Sequence, residues 1–121
     1  MKKRYEILAT ARDKQGAFLS SATNSYIKSH PLQKHFAQLA GQPNKIYLHA
    51  EIYALIRIQE HRANKIHSIT IERYDENHRM QDAKPCPICI EATKAFGIKK
   101  INYTTKEGWV YGKTPESLAA N

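Results

Sequence analysis

The chain has 121 residues, enough for one domain with a sizeable core, and its 41% hydrophobic and 25% charged content is near the globular average, which excludes an intrinsically disordered chain. No apolar run approaches the roughly 20 residues that span a bilayer, and the basic start MKKRYEILATARD lacks the apolar segment and small-residue cleavage site of a secretory signal. Two cysteines are too few for a disulfide-built secreted domain, so a cytoplasmic protein with reduced thiols and no membrane partner is expected, while the net charge of +8 admits an anionic partner.

In chain order, YEILATARDKQGAFLSSATNSY (5–26) reads as two strands joined by the polar turn Asp13-Lys14-Gln15-Gly16. Between Lys14 and Ala50 there is no Asp or Glu, whereas Lys14, Lys28, Lys34, Lys45, His30, His35 and His49 all fall there. That stretch is either a solvated basic face or a surface that meets phosphate, with Lys28, Lys34 and Lys45 as candidate phosphate contacts. SHPLQKHFAQLAGQPN (29–44) is punctuated by Pro31, Gly41 and Pro43 and predicts a loop with a short helix at 31–40.

LHAEIYALIRIQEH (48–61), apolar from Ile52 to Ile58, predicts a helix buried against a sheet, with Tyr47 and Tyr53 packed in the core around it. IHSITIERY (66–74) alternates as a strand. CPICIEATKAFG (86–97) reads as a helix ended by Gly97, and IKKINYTT (98–105) as a strand. Only Lys106-Glu107-Gly108 precede the strand-like WVYG, too short a link for a parallel crossover, so the fifth strand should run antiparallel to the fourth. The order β-β-α-β-α-β predicts one α/β domain over 1–121 with a mixed sheet of about five strands.

Both cysteines lie in Pro85-Cys86-Pro87-Ile88-Cys89. A redox pair, a disulfide and part of a metal site are all open to such a pair. His49-Ala50-Glu51 opens the preceding long helix, and helix starts that follow strands gather along one sheet edge. His49, Cys86 and Cys89 would then form three ligands of the types zinc prefers, leaving a fourth position for water as in a catalytic site. The first turn of a helix favours thiolate through its N–H groups and dipole, and tolerates Pro87. Glu51, two residues beyond His49, could reach that water. A redox pair gives His49 and Glu51 no task, and a structural zinc would need a further ligand such as His78. His61, His67 and His78 otherwise read as surface residues, and Trp109 and Tyr111 as core or edge packing.

The H-A-E triplet followed by P-C-P-I-C, with 33 residues between Glu51 and Pro85, resembles the signature of the zinc-dependent cytidine/deoxycytidylate deaminase superfamily. The resemblance extends over about residues 4–112 and implies a three-layer α/β/α cytidine-deaminase-like fold. It implies that His49, Cys86 and Cys89 hold Zn2+, that Glu51 shuttles protons, that the Ala50 backbone contacts the base, that the Pro85 and Cys86 backbone flanks the departing amino group, and that Asn24 contacts the sugar. The expected substrate is a cytosine nucleoside or nucleotide (cytidine, deoxycytidine or dCMP). The antiparallel last hairpin is similar to that of free-nucleoside deaminases. A nucleic-acid base is the alternative, and a non-catalytic zinc module the third reading. Homo-oligomers are common in the family and are expected here.

Overall fold

A computed structural model describes residues 6–58, 62 and 65–119. Strands β1 (Ile7–Asp13) and β2 (Phe18–Thr23) are followed by helices α1 (Pro31–Leu39) and α2 (Ala50–Ile56), then β3 (Ile66–Arg73), α3 (Pro87–Ala95), β4 (Lys100–Thr105), β5 (Gly108–Lys113) and α4 (Pro115–Ala119). The sheet order is β2-β1-β3-β4-β5. The β1–β2, β1–β3 and β4–β5 pairs are antiparallel and β3–β4 is parallel. The sheet is therefore mixed, with the antiparallel last hairpin that the short Lys106–Gly108 link requires.

Local chemistry accounts for the turns. Asp13 Oδ1 accepts the N–H groups of Gln15 and Ala17, and Gly16 takes φ +85°, a left-handed conformation cheap only for glycine. Gly97 (φ +71°) ends α3 in the same way. The predicted second helix stops at Ile56, with Arg57 as its cap; residues 59–61, including His61, lie outside the described residues, as do Arg4 and Tyr5 at the start of the predicted hairpin. α4 escaped sequence reading although its signal was present. Thr114 and Ser117 cap each other through reciprocal side-chain-to-backbone bonds, with Pro115 opening the helix.

Ala9, Ala11, Ile69, Ile71 and Ile101 point to one face of the sheet and are fully buried. α2 packs on β1 and β2 over that face, and α3 touches α1, α2 and α4, so the described helices form one connected layer. The second outer helix layer of a three-layer arrangement is not among the described residues. The opposite face explains why the sheet tolerates this: it carries Thr10, Arg12, Thr70, Glu72 and Asn102, side chains that a solvated sheet face accommodates.

Thr104 fixes the chain between β3 and α3. Its buried hydroxyl accepts the Arg73 N–H at 3.1 Å and donates to the Gln81 carbonyl at 2.8 Å, while its own carbonyl accepts the Ala83 N–H at 2.9 Å. The nearly isosteric Thr104→Val removes the hydroxyl and strands two buried backbone groups. It should cost about 1–3 kcal/mol and lower Tm by several degrees in a thermal melt; an unchanged Tm would contradict this anchoring role.

Candidate metal centre and pocket

β2 and β3 are each antiparallel to β1, so they run in the same direction. α3 follows β3 directly; α2 comes after α1, and the bonds of Ser25 N–H to the Leu48 carbonyl and of Leu48 N–H to the Lys28 carbonyl return its start to the end of β2, so both helices begin at the same edge of the sheet. Each start is capped by a candidate ligand. His49 is the N-cap of α2 (φ −74°, ψ 151°) and Cys86 the N-cap of α3 (φ −75°, ψ 168°), both in extended backbone. Cys89 stands at the third helical position of α3, so Cys86 is the cap and not, as the sequence suggested, a member of the first turn itself.

The three side chains meet. His49 Nδ1 lies 3.5 Å from Cys86 Sγ and 3.4 Å from Cys89 Sγ, and the three ligand atoms all fall within 4.8 Å of one another. With Zn–S near 2.3 Å and Zn–N near 2.0 Å, a tetrahedral site has an S···N edge of about 3.5 Å. One imidazole and two sulfurs at these separations fit zinc in both donor type and spacing. His78 lies in the exposed turn after β3 at φ +61°, outside this cluster, so it closes no four-ligand structural shell. Both thiols are free, which removes the disulfide.

The electrostatics of the cluster are coupled. A hydrogen bond from Cys89 lowers the Cys86 thiol to about 4 against the opposing effect of burial, with His49 helping. Burial pushes Cys89 well above the ordinary thiol range. Burial alone would depress His49, but its hydrogen bond with Cys86 and the charge on that sulfur raise it. Glu51, 5% exposed, has its carboxyl raised by burial and by the Cys86 charge. A buried carboxyl pushed upward beside a candidate metal is suited to accept and return protons.

A pocket of about 450 Å3 opens onto His49, Ala50, Glu51 and Cys86. Asn24 is in its wall. Asn24 Oδ1 accepts the Ile7 N–H at 2.9 Å, so the amide oxygen is committed and the NH2 end is the donor left for a ligand. Lys45 also lines the pocket, together with Arg73, Asp82 and Lys84. Lys28 lines an adjoining groove, and Lys34 sits exposed on α1 outside both. Pro85 is buried beside a separate cleft formed with Pro87, Ile90 and Leu118. Tyr47, expected in the core, is instead 51% exposed at the pocket, where Tyr26 joins it; Tyr53 is half-buried. Trp109 and Tyr111 stack on each other at 5.7 Å on β5, with Tyr111 exposed.

Sequence reading missed Gln33. Its side chain is fully buried; Nε2 donates to the Lys45 carbonyl at 3.0 Å and Oε1 accepts the His49 N–H at 3.1 Å. It therefore ties α1 to both ends of the segment that delivers His49. Its polar type within an otherwise apolar stripe of α1 (Leu32, Phe36, Ala37) was the only available signal.

No protein-family model and no curated protein matches the sequence. Among solved structures the fold is similar to the 1.6 Å crystal structure of cytidine deaminase from Burkholderia pseudomallei, at 13% identity and a TM-score of 0.61, over 95% of this chain and 79% of that one. At that identity the likeness is one of fold.

Replacing Gln33 tests its hold on the ligand segment. Gln33→Leu preserves bulk and deletes both bonds, and should speed zinc release to a chelator about tenfold, in line with lost outer contacts at other metal sites. Gln33→Glu keeps an acceptor for the His49 N–H and should retain metal better than the leucine variant. Parent-like zinc retention in Gln33→Leu would contradict the role.

Proposed function

We propose that the chain is a zinc-dependent hydrolytic deaminase, acting on the C–N bond of a cyclic amidine, that converts a cytosine nucleoside or nucleotide (cytidine, deoxycytidine or dCMP) to its uracil form and releases ammonia. The observation that carries this reading is the buried Glu51 carboxyl in one pocket with His49 and Cys86, behind which the fully buried Cys89 completes the His49–Cys86–Cys89 cluster. The resemblance of H-A-E and P-C-P-I-C to the deaminase signature and the fold of the cytidine deaminase neighbour support it.

Held by His49 Nδ1 and the two cysteine sulfurs, zinc would supply water deprotonated near neutral pH. The residues of the chain do the rest. Glu51 takes the proton from the attacking water and passes it to the ring nitrogen beside the amine-bearing carbon. The proton remaining on the added hydroxyl then passes, also through Glu51, to the amino group; the C–N bond breaks, ammonia leaves, and the oxygen remains as the new carbonyl. Burial of Glu51 favours this shuttling because a carboxyl with a raised pKa both accepts and returns a proton readily. The Ala50 N–H, in the unpaired first turn of α2, is available to the base. The NH2 of Asn24 is available to the sugar, and the Pro85–Cys86 backbone flanks the leaving amine.

A second reading, deamination of a base in single-stranded nucleic acid, is favoured by Tyr26 and Tyr47, which are exposed at the pocket and could stack neighbouring bases. A homo-oligomer in the cytoplasm remains part of the proposal. No helix among the described residues is long and apolar enough to cross a membrane.

Glu51→Gln separates catalysis from metal binding. Zinc content should match the parent while ammonia release falls by about 10²–10⁴. A variant with full turnover would overturn the assignment of Glu51, and a zinc-loaded parent inactive on every cytosine nucleoside, nucleotide and oligonucleotide would favour a structural zinc module instead.

A further inference from the structure

His49, Tyr53 and Arg57 follow one another at four-residue intervals, and the N–H of each later residue bonds the carbonyl of the one before, at 2.9 and 3.1 Å. They therefore form a stripe along one side of α2 and its cap, spaced by about 5–6 Å per turn. The stripe begins at a candidate metal ligand and ends at a cation.

Tyr53 gathers a second cation from a distant part of the chain. Lys28 Nζ donates to the Tyr53 hydroxyl at 3.2 Å and lies 5.6 Å from the ring centre. The Arg57 guanidinium carbon lies 5.5 Å from the same centre. A groove of about 400 Å3 runs past these three side chains and shares Asn24, Ser25 and Tyr26 with the main pocket. No Asp or Glu lines it among the described residues. Two like charges held on one aromatic ring repel each other, and an anion bound between them relieves the repulsion. The groove also lies within one to two helical turns of the metal ligand, close enough for one ligand to occupy both.

We propose that this groove is a phosphate subsite of the pocket, in which Lys28 and Arg57, set on Tyr53, bind a phosphate group of the molecule whose base enters beside Glu51. Arg57 offers a planar fork matched to phosphate oxygens, and Lys28 a point charge next to the Tyr53 hydroxyl. Asn24, on the wall common to both spaces, stands where the sugar between base and phosphate would pass. The identity of the base rests on the deaminase reading; the phosphate contact does not. This differs from the set expected from sequence, because Arg57 joins Lys28 while Lys34 and Lys45 lie outside the groove.

Binding to zinc-loaded Glu51→Gln protein, which should not turn substrate over, tests the subsite directly by calorimetry. dCMP should bind at least about tenfold more tightly than deoxycytidine, and Lys28→Ala and Arg57→Ala should each remove about tenfold of that affinity, as expected for a charged hydrogen bond, while leaving deoxycytidine unchanged. Lys14→Ala, in the β1–β2 turn at the other edge of the sheet, removes the same charge and should alter neither ligand. The preference for dCMP should shrink as salt is raised, because both cations are exposed. Equal affinity for dCMP and deoxycytidine, or equal losses of both in the two variants, overturns the proposal. A loss for a cytosine-containing oligonucleotide that exceeds the loss for dCMP, with deoxycytidine unchanged, keeps the subsite and assigns its phosphate to a polynucleotide. Should no cytosine ligand bind at all, inorganic phosphate followed by NMR decides: shifts of the Arg57 side chain that vanish in Lys28→Ala uphold the subsite, and their absence overturns it.

Discussion

Everything at the site depends on two helices beginning side by side. β2 and β3 both oppose β1, and the segment leading to His49 is bonded back to the chain leaving β2, so α2 and α3 begin at one edge, each opened by a side chain that can bind metal. N-cap positions are unusually good places for such ligands. Their extended backbone turns the side chain away from the helix axis, and the adjacent N–H groups and dipole favour a negatively charged sulfur. The same geometry supplies the short imidazole–sulfur distances. A change in the direction of either strand would carry one helix start to the far edge and leave the ligands unable to meet.

Around that pair of starts the chain places groups of opposing character. Glu51 lies one residue inside α2 and is buried; the hydrogen bonds from its backbone and Cys89 and the charge of His49 favour its carboxylate but fall short of the cost of burial, a shortfall that a positive ion would relieve. Cys86, by contrast, is already held toward thiolate by Cys89 and His49. A divalent cation resolves both tensions, since it accepts the sulfurs as thiolates and lowers the cost of a charge on Glu51. The wall built from residues 82–84 is pinned by Thr104, and the His49 segment by Gln33, so the pocket is closed by buried hydrogen bonds and not by loops left to themselves.

The meeting of His49, Cys86 and Cys89 was legible because they sit in two short motifs at helix starts, and the reversal at β5 was legible because three residues cannot carry a crossover. The hydrogen bonds of Gln33 were not, because they join α1 to residues 45 and 49 through tertiary contacts that leave no periodic trace. Tyr47 read as core because aromatic residues usually are; here the segment leading to His49 runs along the pocket and turns the ring outward. Lys28 and Lys34 looked alike in an acid-free stretch. Only packing separates them, because Tyr53 draws Lys28 into the groove while α1 directs Lys34 to solvent. The arrangement of the described helices on one face was hidden for another reason: alternation shows that the outer face of β1 is mostly polar (Thr10 and Arg12 beside Leu8), but not which helices cover it.

The most direct measurement is X-ray absorption at the zinc edge of the purified, zinc-loaded protein, with metal content determined in parallel. The expected result is one zinc per chain with two sulfur scatterers near 2.3 Å, one imidazole nitrogen near 2.0 Å and one further light atom. A shell of light atoms without sulfur, or a chain that takes up no stoichiometric zinc, would contradict a metal centre built from His49, Cys86 and Cys89.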